Sequence, residues 1–194
     1  MGQPKALLHI DADDTFVGRI VRTLHGGGVG DVVVVVGAGG PVRSVREALA
    51  AVAPATRVVV NPNPSRGQLS SLLAGLEAID RPGVAAMMLT LVDLPLVTPG
   101  TVRTLLEAYS RTRAPLVRPV HPSGGTHGHP VVFDRALFGE LRRADPGRGA
   151  KPVVRAHQAA GVDVPVADDG AFLDIDTPED YRRVFGGPPP FPPG

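Results

Sequence analysis

Five valines stand in an unbroken row at positions 32–36, and no other feature restricts the fold of this chain as much. β-Branched side chains suit a pleated strand, and a segment apolar at every position has no face to offer water. The row reads as a strand covered on both sides, as in a parallel sheet flanked by helices. A second apolar run, residues 84–97, is bounded by Arg81-Pro82-Gly83 and Thr98-Pro99-Gly100 and carries one carboxylate, Asp93, where the strand is expected to end. Ligands of open α/β sheets bind beyond the carboxyl ends of strands, so Asp93 is placed to hold a divalent cation against phosphate oxygens. Capping the helix that starts near Thr98 is the competing local role.

The rest of the chain alternates. Residues 15–24 set Phe16, Ile20, Val21 and Leu24 on one helical stripe, with Asp13 or Asp14 as cap. Gly37-Ala38-Gly39-Gly40 follows the valines, but it lacks the third glycine and the later acidic residue of a dinucleotide fingerprint. A helix over 41–52 leads to a strand over 57–60 and the loop Asn61-Pro-Asn-Pro-Ser-Arg-Gly67. The next helix opens at Ser70, which is either its plain cap or part of an anion site made by first-turn N–H groups. A helix over 98–113 and a strand over 114–120 follow. The glycine-rich loop 121–130 holds His121, His127 and His129; with no acidic or thiolate ligand in the run, it fits a loop that approaches a ligand better than a zinc site. Beyond a strand over 131–133, helices over 134–143 and 149–158 and a strand over 162–166, a short strand carries Asp174 and Asp176. It precedes a helix capped by Thr177 with Pro178 at its first position, and Asp176 is expected to organise the turn before Thr177 by satisfying local N–H groups.

This order predicts an α/β fold with a doubly wound, mainly parallel sheet. One domain covers residues 1–186, and the proline-rich segment 187–194 reads as a flexible tail, with a proline-recognition ligand as the alternative. If the ends at Asp93 and at Asp174 or Asp176 adjoin, two carboxylates share one Mg²⁺, with water and phosphate completing its shell, which suits phosphoryl or nucleotidyl transfer. The absence of cysteine removes disulfides and thiolate chemistry. A net charge of +1 and 4% aromatic residues exclude the basic, stacking face of a nucleic-acid binder. No apolar stretch reaches the roughly 20 residues of a membrane span, and a cytoplasmic location is expected.

Five segments, in order, resemble the nucleotidyltransferases of molybdenum-cofactor synthesis, the MobA-like NTP transferases, and among them most nearly the molybdopterin cytidylyltransferases. Met1-Gly-Gln-Pro-Lys5 is similar to the end of the amino-terminal signature. Asn61-Pro62 with Gly67-Gln-Leu-Ser-Ser-Leu72 is similar to the asparagine, glycine and paired-serine loop. Leu91-Val-Asp-Leu-Pro95 is similar to the Asp-x-Pro metal motif, Gly128-His-Pro-Val-Val-Phe133 to the Gly-x-Pro segment, and Asp174-Ile-Asp-Thr-Pro-Glu-Asp180 to the closing motif.

The resemblance implies that the terminal phosphate of a molybdopterin-type acceptor attacks the α-phosphorus of a nucleoside triphosphate, CTP by overall likeness, and pyrophosphate leaves. Asp93 and Asp174 would hold Mg²⁺, and Lys5 would contact the phosphates and share the catalytic role with Asp93. Asn61, Gly67, Ser70, Ser71, Gly128, His129 and Pro130 would form the nucleotide and acceptor pocket. A molybdoenzyme receiving the product is the implied protein partner. The family opens with a strand and a glycine-rich loop ahead of Met-Gly-x-Pro-Lys, so that strand and loop are expected to be lacking here. Guanylyl transfer, nucleotidyl transfer to a small phospho-acid, and non-catalytic cofactor binding or delivery are the alternatives.

Overall fold

The computed structural model describes residues 3–187, so most of the proline-rich tail expected at 187–194 lies outside the described residues, as do Met1 and Gly2. A 3₁₀ turn at Lys5–Leu7 opens the described chain, followed by a hairpin of β1 (His9–Asp11) and β2 (Asp14–Thr15). Then come α1 (Phe16–Gly26), β3 (Val33–Gly37), α2 (Val42–Val52), β4 (Arg57–Asn61), α3 (Gln68–Ile79) and β5 (Ala86–Leu89). They are followed by α4 (Pro99–Thr112), β6 (Leu116–Val120), β7 (Val131–Asp134), α5 (Phe138–Arg143), α6 (Lys151–Ala156), β8 (Val162–Pro165) and α7 (Pro178–Phe185).

The valine row forms β3, which pairs in parallel with β4, Val34 opposite Val58. The second ladder runs β5-β7-β6-β8, with β6 and β8 parallel and β7 antiparallel to both of its neighbours. The reversed β7 is the exception to the parallel reading, because apolar residues on both faces of a strand do not encode its direction. No helix among the described residues is long and apolar enough to cross a membrane.

Successive residues explain the unbroken apolar runs. On β5, Met87 enters a core with Leu72 and Leu76 of α3 and Leu141 of α5, whereas Met88 packs towards Leu105 and Tyr109 of α4. On β3, Val34 and Val36 pack against Val21, Leu49 and Val102 of α1, α2 and α4, while Val35 faces Gly75 of α3. Helices thus cover both faces, as doubly wound chains require. The strand valines are half-buried, and only Val32, just before the strand, is buried. Asp31 adds a clamp, taking Arg57 at the head of β4 at 2.8 Å and Arg81 beyond α3 at 2.7 Å.

Several local expectations are corrected. The cap of α1 is Thr15, whose side chain accepts from the Gly18 N–H, rather than Asp13 or Asp14; buried Asp14 instead pairs with Arg19 and Arg22. Helix α3 begins at Gln68 with Gly67 at the cap position, so Ser70 lies inside its first turn. β5 stops at Leu89, and Asp93 lies four residues further along a turn-rich segment. Residues 173–177 form no ladder strand.

Candidate active site

Buried aliphatic neighbours fix the charged residues of the first cluster. Ile175 is fully buried with Leu8, Phe16 and Tyr181, which holds the extended segment between two outward-turned neighbours, Asp174 and Asp176. Burying an isoleucine side chain contributes about 2 kcal/mol, enough to seat so short a segment. The Ile175 N–H donates to the Asp93 carbonyl at 2.9 Å, which joins the two acidic stretches directly. Leu94, 1% exposed, anchors Asp93 in the core beneath α1 and α4, and Leu8 anchors the turn that carries Lys5.

Lys5 Nζ is ion-paired with Asp176 and lies 3.8 Å from Asp93 Oδ2. The other oxygen of Asp93, Oδ1, is buried with no hydrogen-bond partner. Burial, followed by the negative charges of Asp93 and Asp176, pushes the Asp174 carboxyl above its usual range against the opposing pull of His129 and Lys5. His129 is half-buried, and its burial pulls the imidazole below its usual range despite the Leu89 carbonyl and the charges of Asp174 and Asp93. Because a carbonyl only accepts, the 3.4 Å contact of His129 Nδ1 with the Leu89 oxygen assigns the ring proton to Nδ1.

An orphaned buried carboxylate oxygen costs about 1–3 kcal/mol, and carboxylates crowded against one ammonium are the chemistry that a divalent cation satisfies. Among the described residues no group of three or more His, Asp or Glu side chains could hold an ion. One or two carboxylates with water and substrate phosphate is the donor set that remains, and it is a common one for Mg²⁺.

The second cluster closes the loop after β4. Asn61 is 1% exposed and donates from Nδ2 to Ser70 Oγ at 2.7 Å and Ser71 Oγ at 3.0 Å, while its Oδ1 accepts from the Asn63 N–H at 2.9 Å. Ser70 Oγ also lies 2.7 Å from the Gly67 carbonyl and 3.0 Å from that of Asn63. Gly67 has φ +80°, a conformation that L side chains rarely adopt, and that turn delivers the chain into α3. Among the described residues no hydrogen bond or ion pair joins this cluster to the Lys5 cluster.

Gly128, expected to make room for a ligand, makes room for the protein itself. A Cβ there would lie 2.1 Å from the Ala171 carbonyl oxygen, and the neighbouring His129 N–H donates to that oxygen at 2.9 Å. Pro130 is buried and lines a small cavity together with Ile20, Thr90, Leu94 and Val97. The other loop histidines turn elsewhere, His121 towards Ser123 and His127 towards Asp163.

Asp176 does not organise the turn before Thr177, as its position predicts, and pairs with Lys5 instead. The turn before α7 is organised by Asp180, which accepts from the Thr177 N–H while the Thr177 side chain accepts from the Asp180 N–H, so the Asp176 carboxylate is free to take Lys5. The alternating Asp-Ile-Asp pattern was the available signal, since an inward Ile175 sends both flanking carboxylates the same way.

A sequence profile of the MobA-like NTP transferase domain matches residues 1–161. No curated protein matches. Among solved structures, Rv0371c of Mycobacterium tuberculosis H37Rv is 29% identical, with a TM-score of 0.78 over 96% of this chain and 91% of that one. Its manganese complex is 28% identical, with a TM-score of 0.75 over 94% and 91%. A nucleotidyl transferase from Methanothermobacter is 22% identical, with a TM-score of 0.72 over 94% and 83%. The molybdopterin-guanine dinucleotide biosynthesis protein A of Archaeoglobus fulgidus is 16% identical, with a TM-score of 0.63 over 93% and 89%.

Proposed function

We propose that this chain, which belongs to the family of MobA-like NTP transferase domains, moves a nucleoside monophosphate from a nucleoside triphosphate to the phosphate of a molybdopterin-type acceptor. Nucleotidyl transfer follows from the family, and to it we add the acceptor, the base and the metal. The observation that carries the metal-assisted transfer is the convergence of Lys5, Asp93, Asp174 and Asp176, with one Asp93 oxygen buried and unpartnered.

In this reading an oxygen of the acceptor phosphate bonds to the α-phosphorus, the bond from that phosphorus to the bridging oxygen breaks, and pyrophosphate leaves with the electron pair. Lys5 places an ammonium against the phosphate oxygens where negative charge accumulates. Asp93 and Asp174 would hold the metal, and the manganese complex of Rv0371c supports a divalent ion. Held there, a divalent cation supplies neutralisation of the triphosphate oxygens and polarises the phosphorus under attack; Mg²⁺ is the ion we favour. Asn61, Ser70 and Ser71 fix the loop that shapes the nucleotide pocket, and Gly128 with His129 and Pro130 fixes the wall beside the acidic group. We favour CTP on the likeness of the motifs to cytidylyltransferases. GTP is the second reading, favoured by the likeness to the Archaeoglobus fulgidus protein.

The test is pyrophosphate release with molybdopterin acceptor and each of the four nucleoside triphosphates, for wild type and Asp93→Asn. CTP is expected to support turnover, and Asp93→Asn is expected to lower kcat at least about a hundredfold while unfolding at the wild-type temperature. An Asp93→Asn enzyme within a few-fold of wild type at saturating Mg²⁺ would overturn the assignment.

A further inference from the structure

We propose that Lys5 is the internal counter-ion of the acidic group, so that the metal enters only together with a triphosphate that draws the lysine away. This rests on the reading of Asp93 and Asp174 as metal-holding residues, and it adds an order of binding to that reading.

The geometry is specific. The Lys5 ammonium contacts Asp176 and stands 3.8 Å from Asp93, so it lies between two carboxylates as a cation would. Its backbone is held, since the Leu7 N–H donates to the Pro4 carbonyl at 2.9 Å, the Leu8 N–H donates to that of Lys5 at 3.0 Å, and Leu8 is fully buried. The side chain is 29% exposed, and four rotatable bonds let it swing without disturbing that anchor. A divalent ion added beside Asp93 with Lys5 still in place would face a like charge a few ångströms away. Repulsion at about 4 Å weakens binding on the order of tenfold even where water screens it well. A triphosphate removes this conflict, because its oxygens offer the ammonium stronger partners than one exposed carboxylate, Asp176 being 59% exposed. The crowding at Asp174 then passes to the incoming metal. Free metal alone lacks anything to draw the lysine off.

The experiment uses the full chain and Mn²⁺ as probe, with free Mn²⁺ counted by electron paramagnetic resonance. Wild type, Asp93→Asn, Lys5→Met, Lys5→Arg and the double variant Lys5→Met/Asp93→Asn are titrated without nucleotide, and circular dichroism verifies folding. Lys5→Met is expected to bind Mn²⁺ at least about tenfold more tightly than wild type. Lys5→Arg should stay as weak as wild type, and the added Asp93→Asn should cancel the gain. Lys5→Gln replaces Lys5→Met if the latter misfolds. Equal affinity of wild type and Lys5→Met, with binding in both abolished by Asp93→Asn, overturns the counter-ion role and leaves the metal reading standing. Asp93-independent binding, or none, in both proteins and also with a non-hydrolysable triphosphate present, overturns the two together.

Discussion

Replacing Asn61 by alanine separates a residue that builds the pocket from one that touches the ligand. The substitution removes three hydrogen bonds, to Ser70 at 2.7 Å, to Ser71 at 3.0 Å and from Asn63 at 2.9 Å. At roughly 0.5–1.5 kcal/mol net each, the gross loss is about 1.5–4.5 kcal/mol. The lower half of that range applies here: Ser70 keeps the Gly67 and Asn63 carbonyls as partners, and Asn63 is exposed, so water takes over its N–H. We expect Asn61→Ala to cost about 2 kcal/mol, which for a chain of this size lowers Tm by roughly 4–8 °C. Urea denaturation should give the same loss, and a double-mutant cycle with Ser71→Ala should return a coupling of about 0.5–1.5 kcal/mol. The reasoning fails if Asn61→Ala unfolds like wild type and shows no coupling to Ser71. A selective loss of nucleotide affinity under those conditions would mean that the amide reaches the ligand instead.

Two further predictions concern stability. Gly128→Ala drives a Cβ against the Ala171 carbonyl oxygen and Phe172 Cδ1 at 2.1 and 2.7 Å, which forces the backbones apart; a loss of about 3 kcal/mol in urea is expected, and one below about 1 kcal/mol would refute the close packing. The Arg81 hydrogen bond, with help from Arg57 and against burial, holds the Asp31 carboxyl below its ordinary value. A depressed folded pKa means stability present above the unfolded value of about 3.9 and lost as pH falls through the folded one. Asp31→Asn should therefore be less stable than wild type at neutral pH, and the difference should shrink below about pH 4. An equal gap at pH 3 and pH 7 would contradict the ion pair.

What could be read from the sequence follows the range of the forces involved. The valine row and the Met87-Met88 pair announce strands with two covered faces, and Thr177-Pro178 announces a helix start, because each depends on neighbouring residues. The direction of β7 was hidden, since Val131 to Phe133 would look the same in either orientation. The Asp-Ala-Asp-Asp stretch at 11–14 holds turn-forming residues, a signal of the β1–β2 hairpin that went unread. Asp93 was identified as the acidic residue of the apolar run, but the strand ends before it and a turn carries it further. The pairing of Lys5 with Asp176 crosses most of the chain and has no local signature. Asp176 is expected from its position to organise the turn before α7, but Asp180 does so, because its carboxylate reaches back to the Thr177 N–H.

Among the described residues, the ladder of β3 and β4 shares no backbone hydrogen bond with the ladder of β5, β7, β6 and β8, yet α3 lies against β3, β4 and β5 alike. Peptide hydrogen bonds resist sliding along a strand, whereas side chains packed against a helix yield sooner. The layer is accordingly stiff within each ladder and compliant between them. A load on β4 reaches β5 through α3, which sets Gly75 against Val35 of β3 and packs Leu72 and Leu76 in one core with Met87 of β5, and so works as a beam across two planks. The Asn61 loop rides on one plank and the segment bearing Asp93 extends from the other, so the seat of α3 on both ladders sets the span between them.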